Sequence, residues 1–193
     1  MKRNRTGVFR RLEALYARMQ QAYDTTVGET GFTCQGCENN CCTSYFQHHT
    51  YVEWSFLFKG LDDLPAEKRE QYMTRAQDYV HAAQDSLNKG ERPSAMCPLN
   101  DDGLCGLYRH RLMICRLHGV PHVLAGRMGQ LNEYPGCFRF PNEAGANPLD
   151  RTPLYRELAK LEMDFLGSRM ARLPKVNLTL AEMMVQGPPK LTT

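Results

Sequence analysis

Cys34-Gln35-Gly36-Cys37-Glu38-Asn39-Asn40-Cys41-Cys42 places four thiols within nine residues. A buried cysteine packs like a small apolar side chain, but this run is interleaved with Gln, Gly, Glu and Asn, which belong in turns rather than in a core. The thiols are therefore there for their chemistry. The two-residue gap between Cys34 and Cys37 lets two thiolates from one tight turn reach the same soft cation, and Gly36 relaxes the backbone between them.

The remaining thiols lie downstream, in Cys97-Pro98-Leu99-Asn100-Asp101-Asp102-Gly103-Leu104-Cys105, in Cys115-Arg116 and at Cys137. Eight cysteines suffice for two four-thiolate sites, and pairs from separate loops usually complete a site that a local pair begins. The vicinal Cys41 and Cys42 leave the backbone in different directions, which predicts two centres, or one cluster and a spare thiol. Two histidine pairs, His48 with His49 and His118 with His122, stand near cysteines and are the alternative ligands. Arg111 and Arg116 flank Cys115; they read as charge balance and sulfur hydrogen bonding for a thiolate site, or as ordinary ion pairs. Tyr108 reads either as packing or as a hydrogen bond to the site.

The order of these motifs, a clustered CxxC with a vicinal CC, a Cys-Pro segment closing at Cys105, and then Tyr108-Arg109-His110-Arg111-Leu112-Met113-Ile114-Cys115-Arg116, resembles the YkgJ-type cysteine-cluster proteins. These are zinc- or iron-chelating domains, mostly bacterial and without an assigned reaction. The resemblance runs from Cys34 to Cys137. It implies a cytoplasmic metal-binding protein that uses Cys34, Cys37, Cys41, Cys42, Cys97, Cys105, Cys115 and Cys137 as ligands. Two positions depart from the pattern: the gap from Cys37 to Cys41 is one residue longer, and Leu112 stands where proline is usual. The longer gap is similar to the cysteine run of flagellin lysine N-methylases, which keeps an iron-sulfur enzyme open as the alternative.

The bulk properties agree with a compact protein. At 193 residues and 42% apolar content the chain is long enough for one domain with a core, expected to span residues 1–193. A net charge of +3 is far below the basic excess of a nucleic-acid or membrane binder. No apolar run approaches the roughly 20 residues that span a bilayer. The basic start, Lys2, Arg3 and Arg5, is followed by Arg10, Arg11 and Glu13 rather than by an apolar stretch, so no export signal is read there. The expectation is a soluble protein in a reducing cytosol, where metal ligation accounts for eight thiols better than disulfides do.

Periodicity predicts a mainly α fold, with helices framing a loop-rich, metal-stabilised cysteine region over about residues 34–137. Val8, Leu12, Leu15, Met19 and Tyr23 predict a helix over about 7–26, ended by Gly28 and Gly31. Thr50 and Glu53 match a capping box, opening a buried helix through Trp54, Phe56, Leu57 and Phe58 that stops at Gly60. Pro65 opens a long helix with the stripe Tyr72, Ala76, Tyr79, Val80, Ala83 and Leu87, terminated by Asn88, Lys89 and Gly90. Between Arg92 and Pro148, glycine and proline punctuate every short segment, leaving one helical turn near Leu107 to Ile114 and a small hairpin through His122 to Leu131. Such long loops need something to order them, and bound metal supplies it because ligand-binding energy becomes folding energy. Helix returns over about 153–186: Leu154, Leu158, Leu161, Phe165 and Leu166 form a stripe running to near Leu173, and Thr179 with Glu182 caps a last short helix.

All-thiolate coordination selects zinc or an iron-sulfur cluster over magnesium or calcium, and spacing leaves that choice open. Three functions remain. A protein that carries, senses or is held together by metal accounts for the motifs directly. A methyl-transferring enzyme lacks support, with no glycine-rich cofactor motif and Ser44 where the CxxxCxxC of radical enzymes would need its third cysteine. A nucleic-acid-binding zinc module lacks the basic aromatic surface.

Overall fold

A computed structural model of the chain describes residues 5–28, 30–33, 37, 41–126, 128–141 and 147–191. In chain order its elements are α1 (Arg5–Val27), α2 (Tyr51–Asp62), α3 (Ala66–Asn88), β1 (Asn100–Asp101), β2 (Leu104–Cys105), α4 (Met113–Leu117), β3 (His122–Ala125), β4 (Leu131–Tyr134), β5 (Leu149–Asp150), α5 (Thr152–Leu166) and α6 (Leu180–Gln186). The protein is mainly helical, as the periodicity predicts. Its chain divides into two compact units, Met1–Cys34 with Met113–Phe165 and Gln35–Leu112 with Leu166–Thr193. Each unit is therefore assembled from two separate stretches of sequence.

In the first unit, α1 buries Leu12, Leu15 and Met19 of the predicted stripe, together with Tyr16, while Val8 and Tyr23 are half-buried. It ends where Gly28, at φ +46°, returns its N–H to the Asp24 carbonyl at 2.8 Å, a left-handed stop that a Cβ would resist. Helix α5 runs antiparallel to α1, with Arg11 paired to Asp164 at 2.7 Å, Arg18 paired to Glu157, and Phe9 stacked on Phe165. Both ion pairs are about half exposed, so the buried Leu154, Leu158, Leu161 and Phe165 carry the packing energy. The sheet order is β4-β3-β5: an antiparallel hairpin pairing His122 with Tyr134, and a parallel strand pairing His122 with Leu149. The hairpin is the expected one, extended past Leu131 to Tyr134, whereas β5 had no sequence signal beyond two apolar-polar residues.

In the second unit, α2 is buried on nearly every face, through Tyr51, Val52, Trp54, Phe56, Leu57 and Leu61. Its Trp54 indole N–H donates to the carbonyls of Met183 and Gly187 at the end of α6. Helix α3 presents Tyr72, Ala76, Tyr79 and Ala83 to the core and packs against α6, while Leu87, expected in the same stripe, is exposed.

Three local expectations are corrected here. Helix α2 does not stop at Gly60 but runs to Asp62; Gly60 is helical and admits the His110 ring, whose Cγ would lie 2.5 Å from a Cβ at that position. Thr50 precedes α2 without capping it, because its hydroxyl donates to the Glu53 carboxylate at 2.8 Å instead of accepting a backbone N–H. Helix α5 ends at Leu166, short of Leu173, where Gly167 at φ +56° leads into a 3-10 turn. The Thr179–Glu182 capping box forms in full.

Candidate metal centre

Within the second unit, Cys41 opens a 3-10 turn over Cys41–Thr43, closed by the Ser44 N–H on the Cys41 carbonyl at 3.0 Å. The neighbouring Cys41 side chain is the largest influence lowering the Cys42 thiol.

A second segment is fastened to this turn through the backbone. The Cys97 N–H donates to the Cys42 carbonyl at 2.9 Å, and the Asn100 N–H to the Cys97 carbonyl at 3.0 Å. From there the chain folds into the hairpin β1–β2, which pairs Asn100 with Cys105 and Asp101 with Leu104. Asp102 at φ +51° and Gly103 at φ +90° make its two-residue turn, the conformation that an Asp-Gly pair tolerates best. The Asn100 side-chain oxygen closes the turn by accepting the Gly103 N–H at 2.9 Å.

Helix α3 holds that hairpin electrostatically. The Asp101 carboxylate accepts from the Tyr72 hydroxyl, from Lys68 at 2.9 Å and from Arg75 at 2.8 Å, and Arg75 also donates to the Asn100 carbonyl. The Tyr72 hydroxyl, aided by the two cations against partial burial, holds Asp101 down at about 2. Gly106 leaves the room this needs, since a Cβ there would meet the Tyr72 hydroxyl oxygen at 1.7 Å.

These neighbours set the charge at Cys42. The Cys41 side chain, opposed by burial and assisted by the Asn100 amide and the Arg111 guanidinium, brings the Cys42 thiol down to about 6. At neutral pH Cys42 is thus a thiolate, the form in which sulfur binds metal. The Asn100 amide nitrogen is buried and has no hydrogen-bond partner. Burial, with the neighbouring Cys97 charge next, pushes the Tyr79 phenol up to about 12, so Cys97 also lies beside α3.

The other candidates are distributed as follows. Cys34 lies outside the described residues, and Cys37 is half-buried. Cys115, on α4, and Cys137 belong to the first unit; the Cys137 N–H bonds the Gly119 carbonyl at 2.9 Å and its sulfur accepts from the Arg139 N–H at 3.5 Å. All seven described cysteines are thiols rather than disulfides. Of the arginines, Arg111 lies over the Tyr108 ring with its charge acting on Cys42, while Arg116 lies over Tyr16 in the first unit. His48 is buried, its backbone paired with Leu178 and its Nδ1 without a hydrogen-bond partner, and burial then His49 bring it down to about 4. His49 faces the Val176 carbonyl. In the first unit, His122 stacks on Tyr134 with ring centroids 4.6 Å apart; burial, then the Arg151 charge, holds it at about 4.

Among the described residues, no three His, Cys, Asp or Glu side chains converge as a ligand set, and no helix is long and apolar enough to cross a membrane. The residue that the motif reading overlooked is Asn100. Its signal was the Asn-Asp-Asp-Gly run ending two residues before Cys105, a hairpin signature inside a stretch read as loop. No protein-family model, curated protein or solved structure matches this chain.

Proposed function

We propose that this chain is a metal-binding cysteine-cluster protein of the YkgJ type, chelating iron in an iron-sulfur cluster, or zinc, through thiolates. The observation that carries the reading is the turn holding Cys41 and Cys42, whose backbone is bonded to the Cys97 segment. Two soft donors are adjacent in one turn, and the Cys42 thiol is brought down to about 6, which lowers the cost of replacing its proton by metal. Cys97 and Cys105 are the nearest candidates to complete the set within the same unit, and Cys34 and Cys37 precede it in the chain. The donor chemistry fits the group: thiolates bind it, and the Arg111 charge beside Cys42 offsets accumulated negative charge. Bound metal would cross-link loops, and an iron-sulfur cluster would add one-electron chemistry.

The test is purification without oxygen, followed by metal analysis and a visible spectrum, on the wild type and on the C41S/C42S double variant. Stoichiometric iron with broad visible absorption, or stoichiometric zinc without colour, is the expected result, and it is lost in the double variant. A wild-type protein that takes up neither metal on anaerobic reconstitution would overturn the reading.

A further inference from the structure

The three-stranded sheet of the first unit sorts its charged side chains by face. Cross-strand partners share a face of a sheet, and successive residues alternate between faces. Val123 pairs with Glu133 on one neighbouring strand and with Asp150 on the other, so both carboxylates lie on the Val123 face. His122 pairs with Tyr134 and Leu149, which puts these three on the opposite face, and Arg151, two residues after Leu149, joins them there. The Arg151 backbone N–H continues the ladder by donating to the Val123 carbonyl at 3.0 Å. Its side chain leaves the residue only 8% exposed, yet it has no ion pair among the described residues. One guanidinium N–H donates to the Leu117 carbonyl at the end of α4, while Nε is buried and has no hydrogen-bond partner.

A buried guanidinium destabilises a fold unless an opposite charge or a full set of hydrogen bonds answers it. Burial pulls Arg151 down from its ordinary value, and the groups opposing that are Tyr155 and then Tyr134 rather than a carboxylate. Asp150, the nearest acid in sequence, spends its carboxylate on the Thr152 N–H at 2.8 Å. The Leu117 carbonyl occupies one N–H and leaves the charge unanswered. Beside Arg151, the His122 ring stacks on Tyr134 with centroids 4.6 Å apart, and Tyr134 is exposed, so this face opens to solvent along β4. We propose that the face carrying Arg151, His122 and Tyr134 binds a small oxyanion, a carboxylate or phosphate group, with the Arg151 guanidinium as its charge partner. Guanidinium donors match the oxygens of both groups in number and spacing. The site lies wholly in the first unit and goes beyond the metal-binding reading, on which it does not depend.

The test titrates the full chain, kept reduced, with inorganic phosphate and separately with acetate, against sodium chloride at matched ionic strength. Nitrogen–proton correlation NMR follows the arginine Nε–H signals and the backbone signals of His122, Tyr134 and Arg151. The expected result is saturable shifts at Arg151 Nε–H, His122 and Tyr134 with one common dissociation constant, in the phosphate or the acetate arm and absent with chloride. Whichever arm responds identifies the group bound. Arg151→Lys keeps the charge and loses the Nε donor, and is expected to weaken binding about tenfold or more, as for a lost hydrogen bond to a charged group. The wild-type titration needs no variant and decides the matter even where Arg151→Lys fails to fold. Shifts that follow ionic strength alike in all three salts, or that saturate only away from Arg151, would overturn the proposal. Undiminished affinity in a folded Arg151→Lys would overturn it as well, leaving Arg151 as a cap on the Leu117 carbonyl alone.

Discussion

The Cys97 N–H donates to the Cys42 carbonyl at 2.9 Å, tying two sequence-remote cysteine segments together through main chain rather than through sulfur. The tie therefore survives removal of a thiol. Cys97→Ser is expected to keep the fold and lose metal, whereas Cys97→Pro, which lacks the N–H, is expected to lose about 1 kcal/mol of stability as well. Denaturant midpoints of the two variants, set beside their metal content, check this; equal midpoints would show the bond to be dispensable.

Asp101 links stability to acid. Its carboxyl is held at about 2 in the folded protein against an ordinary 3.8. A depressed carboxyl contributes stability that is complete above the unfolded value and is lost as pH falls through the folded one, here between about 4 and 2. Asp101→Asn is therefore expected to destabilise the protein at neutral pH, with the difference from wild type shrinking across that window. Urea midpoints at several pH values would show it, and a pH-independent difference would contradict it.

Gly60 carries a packing constraint that outweighs helix propensity. Alanine at an exposed helical glycine gains up to about 1 kcal/mol, but here the new methyl would meet the His110 ring carbons. Gly60→Ala is expected to be net destabilising by about 1–3 kcal/mol, the range for forcing an extra carbon into a filled core. A stabilised variant in chemical denaturation would show that the ring moves aside freely.

The α6 cap offers a cleaner measurement. Thr179 accepts the Glu182 N–H at 3.2 Å while the Glu182 carboxylate accepts the Thr179 N–H at 2.6 Å. Thr179→Ala is expected to cost about 1 kcal/mol. Because Trp54 donates to carbonyls at the far end of α6, its fluorescence should report the loosening. An unchanged denaturation midpoint would contradict the cap's role.

Helices were legible where a stripe and a glycine stop coincide, as in α1 with Leu12, Leu15, Met19 and Gly28. Gly60 misled because a glycine in a helix serves equally as a stop or as space for a neighbour, and only the tertiary partner His110 decides which. Thr50 and Thr179 carry the same capping signature, yet only Thr179 uses it, since the Thr50 hydroxyl finds a carboxylate oxygen first. At the cysteines, sequence marked which residues matter chemically but not which meet. The placing of Cys41 and Cys42 depends on a 3-10 turn, and that of Asn100 and Cys105 on a hairpin fastened by Asp101 to a helix that precedes it in the chain. Neither has a local periodicity to reveal it.

The alternation of the chain between its two units, at residues 34–35, 112–113 and 165–166, has a practical meaning for dissection. Neither half can be expressed as one uninterrupted segment. Trimming the tail after Phe165 removes α6 and with it the carbonyls that receive the Trp54 indole, stripping one unit of a wall while leaving the other's sequence whole. A protein woven in this manner is best mapped by point substitution, or by rejoining its segments in a permuted order, rather than by deletion.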